Sequence, residues 1–89
     1  MLPLGLINQY MCKLNNWSLE IDSIVKDFTF PDFDSAVEFV NKVKGVCEEK
    51  GHYPGVLINR NVVRLTLTTH EEKGLTSLDF EVAELIDKI

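Results

Sequence analysis

The chain has 89 residues, 45% of them hydrophobic, and a net charge of −5 from 14 acids against 9 bases. That predicts one small domain over residues 1–89, too apolar for disorder and without the basic footprint of a direct nucleic-acid binder. No apolar run approaches the roughly 20 residues of a membrane span, so no membrane partner is expected.

The amino end, Met1 to Ile7, is apolar but lacks a basic start and is broken by Pro3 and Gly5. It does not read as a signal peptide, and a cytoplasmic protein is the expectation. Leu4, Ile7, Met11 and Leu14 recur at helical spacing and predict a short amphipathic helix ended by Asn15-Asn16. Trp17, Leu19 and Ile21 alternate with Ser18 and Glu20, which predicts a half-buried strand. Asp22-Ser23 is a turn, and Ile24 to Phe30 is a second strand with Phe28 and Phe30 on one face. Lys26 falls on that same face, so its ammonium is expected to reach the edge.

Pro31-Asp32 breaks the strand and starts the clearest helix of the chain. Asp32 or Asp34 serves as N-cap, and Ser35 with Glu38 also fits a capping box. Ala36, Val37, Phe39, Val40, Val43, Val46 and Cys47 form its apolar face, and Gly51 stops it as a left-handed cap. Val56 to Ile58 and Val62 to Thr69 read as a hairpin around Asn59-Arg60-Asn61, with Val63, Leu65 and Leu67 facing the core. After a polar loop, Thr76 caps a last helix with Asp79 at its third position, and Leu75 and Phe80 stand where a hydrophobic staple needs them. Leu78, Val82, Leu85, Ile86 and Ile89 are its apolar stripe. The reading is α+β: a four-stranded antiparallel sheet with helices packed on one face, in the order α-β-β-α-β-β-α. A sheet of this size leaves edges to cover, so a homo-oligomer is expected.

Cys12 and Cys47 have neither CxxC spacing nor enough histidines nearby for a zinc site, and two free buried thiols are expected. Chemistry concentrates between Glu48 and Asp79. Both histidines lie there, His52 before the hairpin and His70 after it. Two strands folded back on each other can bring both imidazoles to one end of a sheet, each able to give or take a proton near neutral pH. Tyr53 can stack on a planar ligand or pack on the sheet. Capping alone accounts for Asp79, and Thr68 and Thr69 read as ordinary strand residues.

Several pieces resemble the pterin-4a-carbinolamine dehydratase family over nearly the whole chain. They are Leu14-Asn15-Asn16-Trp17, Phe28 to Ala36, and Glu48 with His52 and Pro54. Then come Leu65-Thr66-Leu67-Thr68-Thr69-His70, Gly74-Leu75-Thr76 and Asp79. The resemblance implies this fold, dimers that join their sheets, and often tetramers built through helices. It implies loss of water from a 4a-hydroxytetrahydropterin to give the quinonoid dihydropterin, with a pterin as substrate and no metal or other cofactor. His52 matches the family's first histidine, His70 its third and Asp79 its aspartate. His52 and His70 are then the catalytic residues, and Tyr53, Pro54, Thr69 and Asp79 bind substrate. Tyr53 stands where a second histidine is usual, and Val56 where an aromatic is frequent. Some relatives are binding or assembly proteins, including a Rubisco assembly factor and a transcriptional coactivator. A non-catalytic dimeric module on the same fold is therefore the alternative.

Overall fold

The computed structural model describes residues 2–89; Met1, the first residue of the apolar amino end, lies outside them. The element order is α1 (Leu4–Met11), β1 (Ser18–Leu19), β2 (Ile24–Thr29), α2 (Phe33–Lys50), β3 (Gly55–Asn59), β4 (Val62–Leu67) and α3 (Ser77–Asp87). A 3-10 turn at His70–Glu72 separates β4 from α3. The sheet runs β1-β2-β4-β3 with every pair antiparallel, as the sequence pattern predicts.

β4 is central because its alternation is the cleanest in the chain. Val63, Leu65 and Leu67 are fully buried. They pair with Phe28, Lys26 and Ile24 on β2, and Val63 and Leu65 pair with Ile58 and Val56 on β3. Directly paired residues share a face, so these side chains form one surface, and the helices cover it. α2 contributes Ala36, Phe39, Val43 and Cys47 to the core, and α3 contributes Phe80, Val82, Ala83 and Ile86. Phe39 sits between Phe28 and Phe30, at ring distances of 4.7 and 5.0 Å. Each such buried side chain contributes about 1.5–3 kcal/mol. Tyr10 stacks on Phe80 at 4.8 Å and ties α1 to α3.

The caps decide where the helices start and stop. Asp32 is the N-cap of α2, accepting from the Ser35 N–H at 2.8 Å, so the Ser35–Glu38 alternative is not the one used. Gly51 adopts φ 63°, the left-handed stop that glycine takes without a Cβ clash.

Several expected boundaries move. α1 ends at Met11 rather than Leu14, and of its stripe only Ile7 is fully buried, while Leu4 is largely exposed. The first hairpin turns earlier than Asp22-Ser23. The Glu20 N–H bonds the Ser23 carbonyl at 2.8 Å, which puts Ile21 at the tip, 95% exposed. β4 stops at Leu67 because Thr69 exchanges both backbone bonds with Gly74 across the loop. In α3 Ala83 joins the stripe, whereas Ile89 lies beyond the helix and is half-exposed. Lys26 does not escape to the edge. Its ammonium bonds Asp87 Oδ1 at 2.8 Å and lies 4.8 Å from the centre of the Phe28 ring. The Trp17 indole N–H donates to the same carboxylate.

Candidate active site

Three chain segments meet at one end of the sheet. β3 starts at Gly55, which pairs with Thr66 near the end of β4. Residues 52–54 therefore enter the sheet where residues 68–70 leave it. The loop from Thr69 to Gly74 then returns the chain to the N-terminus of α3, where Asp79 sits.

His52 follows the left-handed Gly51. Its backbone N–H bonds the Cys47 carbonyl at 3.2 Å and completes the helix cap, so its ring is not used for capping. The ring reaches across 27 residues of sequence to Asp79, with Nε2 at 2.6 Å from Oδ1. The His52 side chain is 12% exposed and the Asp79 side chain 0%. Oδ2 of Asp79 accepts from the Thr69 hydroxyl at 2.7 Å and from the Thr76 backbone N–H at 2.9 Å. The Thr69 and Thr76 hydroxyls lie 3.0 Å apart. Thr69 has one hydroxyl proton and gives it to Asp79, so Thr76 donates to Thr69.

The buried carboxylate is thus supplied with donors on both oxygens, as a buried charge requires. It also lies at the third position of α3, where the helix dipole favours negative charge. A carboxylate only accepts, so the bond to Asp79 places the His52 proton on Nε2 and leaves Nδ1 to exchange protons.

The other expected site residues stand around this pair. His70 opens the 3-10 turn next to Thr69; it is exposed, and its ring has no partner among the described residues. Tyr53 is 57% exposed rather than packed on the sheet. Pro54 is half-buried, and Val56 is exposed at the start of the edge strand. The structure therefore joins His52, Thr69 and Asp79 through hydrogen bonds, and leaves His70 and Tyr53 free at the rim. Thr76 was legible only as a helix cap. The added signal is its spacing, seven residues after Thr69 and three before Asp79. Among the described residues no group of three or more histidine, cysteine or acidic side chains could hold a metal ion. No described helix is long and apolar enough to cross a membrane.

The opposite face of the sheet carries different chemistry. A shallow depression of about 310 Å³ there is lined by Asp27, Leu57, Asn59, Val62 and Arg64. The hydrogen-bonded Arg64 guanidinium, 2.7 Å away, holds the Asp27 carboxyl below its ordinary value. None of the residues joined at the His52 end lines it.

The chain is similar to known proteins along nearly its whole length. The family described as Pterin 4 alpha carbinolamine dehydratase matches residues 4–89. A protein of Metallosphaera sedula, named as an inferred pterin-4-alpha-carbinolamine dehydratase, is 40% identical over 93% of this chain and 86% of its own length. One of Nostoc punctiforme with the same name is 45% identical over 85% of this chain and 82% of its own. A crystal structure described as a transcriptional coactivator/pterin dehydratase from Brucella melitensis superposes with a TM-score of 0.92. It is 29% identical and covers 98% of this chain and 95% of that one. A pterin dehydratase-like protein described as a RuBisCO assembly factor of the alpha-carboxysome shares the fold, with a TM-score of 0.65 at 18% identity over 81% and 83% of the two chains.

Proposed function

The chain belongs to the pterin-4-alpha-carbinolamine dehydratase family, and on that premise we propose that it dehydrates a 4a-hydroxytetrahydropterin to the quinonoid dihydropterin, with His52 and His70 moving the protons. The observation that carries this reading is the His52–Asp79 bond: a nearly buried imidazole, fixed in orientation, at the sheet end beside a free His70. In the reaction the C4a–O bond breaks and the hydroxyl leaves as water after taking one proton. N5 gives up its proton, and the electron pair of that N–H bond closes the C4a=N5 double bond. The elimination is redox-neutral. It needs one group that donates at oxygen and one that accepts at N5, and imidazoles do both near pH 7. Such acid–base catalysis contributes roughly 10²–10⁴-fold.

Asp79 acts through His52 by holding its ring in one orientation. Tyr53 and Pro54 form the rim against which the pterin lies, and the exposed Tyr53 ring is available to stack on it. A phenol with a pKa near 10 is a poor base at neutral pH, so Tyr53 binds rather than moves protons.

Stopped-flow dehydration of 4a-hydroxytetrahydropterin tests this directly. A rate above the buffer blank, unchanged by EDTA, is the expected result. A rate equal to the blank at high protein concentration selects the second reading, a binding or assembly module on the same fold. Tyr53, in the place of a second histidine, and Val56, in the place of an aromatic, are the features that favour that second reading. Comparing kcat/KM for wild type, Tyr53→His and Tyr53→Phe then separates a missing titrating group from a stacking ring. A Tyr53→His variant about tenfold faster than wild type identifies the former.

Self-association belongs to the same proposal. β3 is an edge strand whose Val56 and Leu57 are exposed, and a small domain gains by pairing such an edge. Light scattering is expected to report a dimer or tetramer; a 10.1 kDa species across micromolar concentrations rejects it.

A further inference from the structure

The buried hydroxyl of Thr69 has a task that substrate binding does not explain. It is 8% exposed and already committed, donating to Asp79 Oδ2 at 2.7 Å. Its remaining acceptor capacity is met by the Thr76 hydroxyl at 3.0 Å. Thr76 reaches the same Asp79 oxygen directly through its backbone N–H, at 2.9 Å. Two hydroxyls from different elements, one just past β4 and one capping α3, thus stand in series on one buried carboxylate. A helix cap needs only the Asp79–Thr76 exchange. The Thr69 bond is additional, and it joins the segment before His70 to the residue that holds His52.

We propose that the Thr69–Thr76 hydroxyl pair is the positioning device of the His52–Asp79 pair, keeping the His52 proton on Nε2 and Nδ1 open for proton exchange. The balance at the carboxylate explains why. Oδ2 takes two donors and Oδ1 takes one. With Oδ2 filled, the only vacancy suited to His52 is the one on Oδ1, and it accepts. Without the Thr69 hydroxyl, Oδ2 keeps a single donor, and the carboxylate can rotate or hold a proton of its own. A protonated Asp79 would donate to Nε2, and the imidazole proton would then sit on Nδ1. The chain Thr76, Thr69, Asp79, His52 therefore sets which nitrogen works. Thr69 is a positioning residue, not a direct substrate contact.

The catalytic consequence rests on the dehydratase reading, but the tautomer does not. The test therefore has two arms. Long-range ¹⁵N–¹H correlation spectra of the His52 ring report which nitrogen carries the proton in wild type, Thr69→Val, Thr69→Ser and Thr76→Val. Valine keeps the shape and β-branching of Thr69 and removes only the hydroxyl, both its donor to Asp79 and its acceptor for Thr76. The wild-type and Thr69→Ser rings are expected to be protonated at Nε2, and Thr69→Val to show a mixture with Nδ1–H. In the kinetic arm, Thr69→Val is expected to lower kcat about tenfold to a hundredfold, the range for one hydrogen bond to a charged group. KM stays within about twofold, and Thr69→Ser recovers most of the rate.

Thr76→Val leaves all three donors on the Asp79 carboxylate in place and removes the outer hydroxyl, together with the cap that hydroxyl offers the Asp79 backbone N–H. It is expected to move tautomer and kcat the same way by a smaller factor, and it serves as the probe if Thr69→Val does not fold. An unchanged Nε2–H tautomer in the valine variants overturns the proposal, whether or not the protein is a dehydratase. So does a rise in KM with kcat intact, which would make Thr69 a substrate contact. If wild type has no dehydratase activity but the tautomer shifts as stated, the functional reading fails and the positioning role stands.

Discussion

Asp79→Asn separates the two duties of the buried carboxylate. The amide has nearly the same shape, so its oxygen can still accept from the Thr69 hydroxyl and the Thr76 N–H, now at 2.7 and 2.9 Å. Its NH₂ then faces His52 Nε2 across a gap of 2.6 Å. Two donors cannot share that gap, so the ring must move its proton to Nδ1 and accept at Nε2. Each of the three bonds falls from charge-assisted to neutral strength, a loss of about 1 kcal/mol apiece, and the helix-dipole contribution of about 0.3–1 kcal/mol goes with them. The cost of about 3–4 kcal/mol is less than the 5–15 kcal/mol that a domain has, so the variant folds. Catalysis suffers more. With Nδ1 blocked by a proton, the rate should fall about 10²–10⁴-fold, the full acid–base contribution. The same substitution in a Ser-His-Asp triad costs about 10⁴ for the same reason. Stopped-flow dehydration, with circular dichroism and urea denaturation on the same preparation, measures both effects. A folded Asp79→Asn variant within threefold of the wild-type rate would refute the tautomer reasoning.

Asp87→Ala removes the acceptor shared by the Lys26 ammonium and the Trp17 indole. Urea denaturation should show a loss of about 1–3 kcal/mol, because a buried indole N–H and a half-buried ammonium are left without a partner; adding Lys26→Met should recover part of it, and a neutral Asp87→Ala would contradict the packing described. Cys47 is fully buried, and burial pushes its thiol above the ordinary 9.0, whereas Cys12 is exposed. Iodoacetamide should add one group to the native protein, at Cys12, and a second only after denaturation; two adducts under native conditions would show that the core opens. The bond from the Ser35 N–H holds the Asp32 carboxyl below its ordinary 3.8, so its folded value is depressed. Its contribution to stability is present above 3.8 and disappears as pH falls through the folded value. The stability difference between wild type and Asp32→Asn should therefore shrink as a pH titration passes below 3.8, and a difference that grew on acidification would reverse the sign.

The fold was legible because its elements carry local signals. Val63, Leu65 and Leu67 alternate with polar residues, α2 shows three- and four-residue apolar steps, and Gly51 and Thr76 are cap residues at the places where helices end or begin. What was not legible depends on partners distant in sequence. Ile21 reads as a strand residue until the Glu20–Ser23 bond places it on a turn. Lys26 reads as an edge lysine until Asp87, 61 residues away, arrives beside it. The site divides in the same way. Asp79 and Thr76 follow from the capping pattern, but nothing local says that the carboxylate also takes a histidine from the far end of α2.

That last bond depends on how α3 docks. Phe80, Val82, Ala83 and Ile86 bury the helix against the core, and hydrophobic contact of this kind is not directional. It holds α3 on the sheet without fixing its rotation or its position along its axis. Polar contacts at both ends supply that missing constraint. At the C-terminal end Asp87 is held by Trp17 and Lys26, and at the N-terminal end Asp79 is held by Thr69, Thr76 and His52. A helix pinned at two points eight residues apart in sequence, roughly 12 Å along its axis, has little freedom to slide. The 2.6 Å contact at His52 is then sensitive to the remote cluster as well as to its immediate partners. For this reason the Asp87 cluster, far from the histidines in the fold, bears on how well the His52 imidazole is aimed.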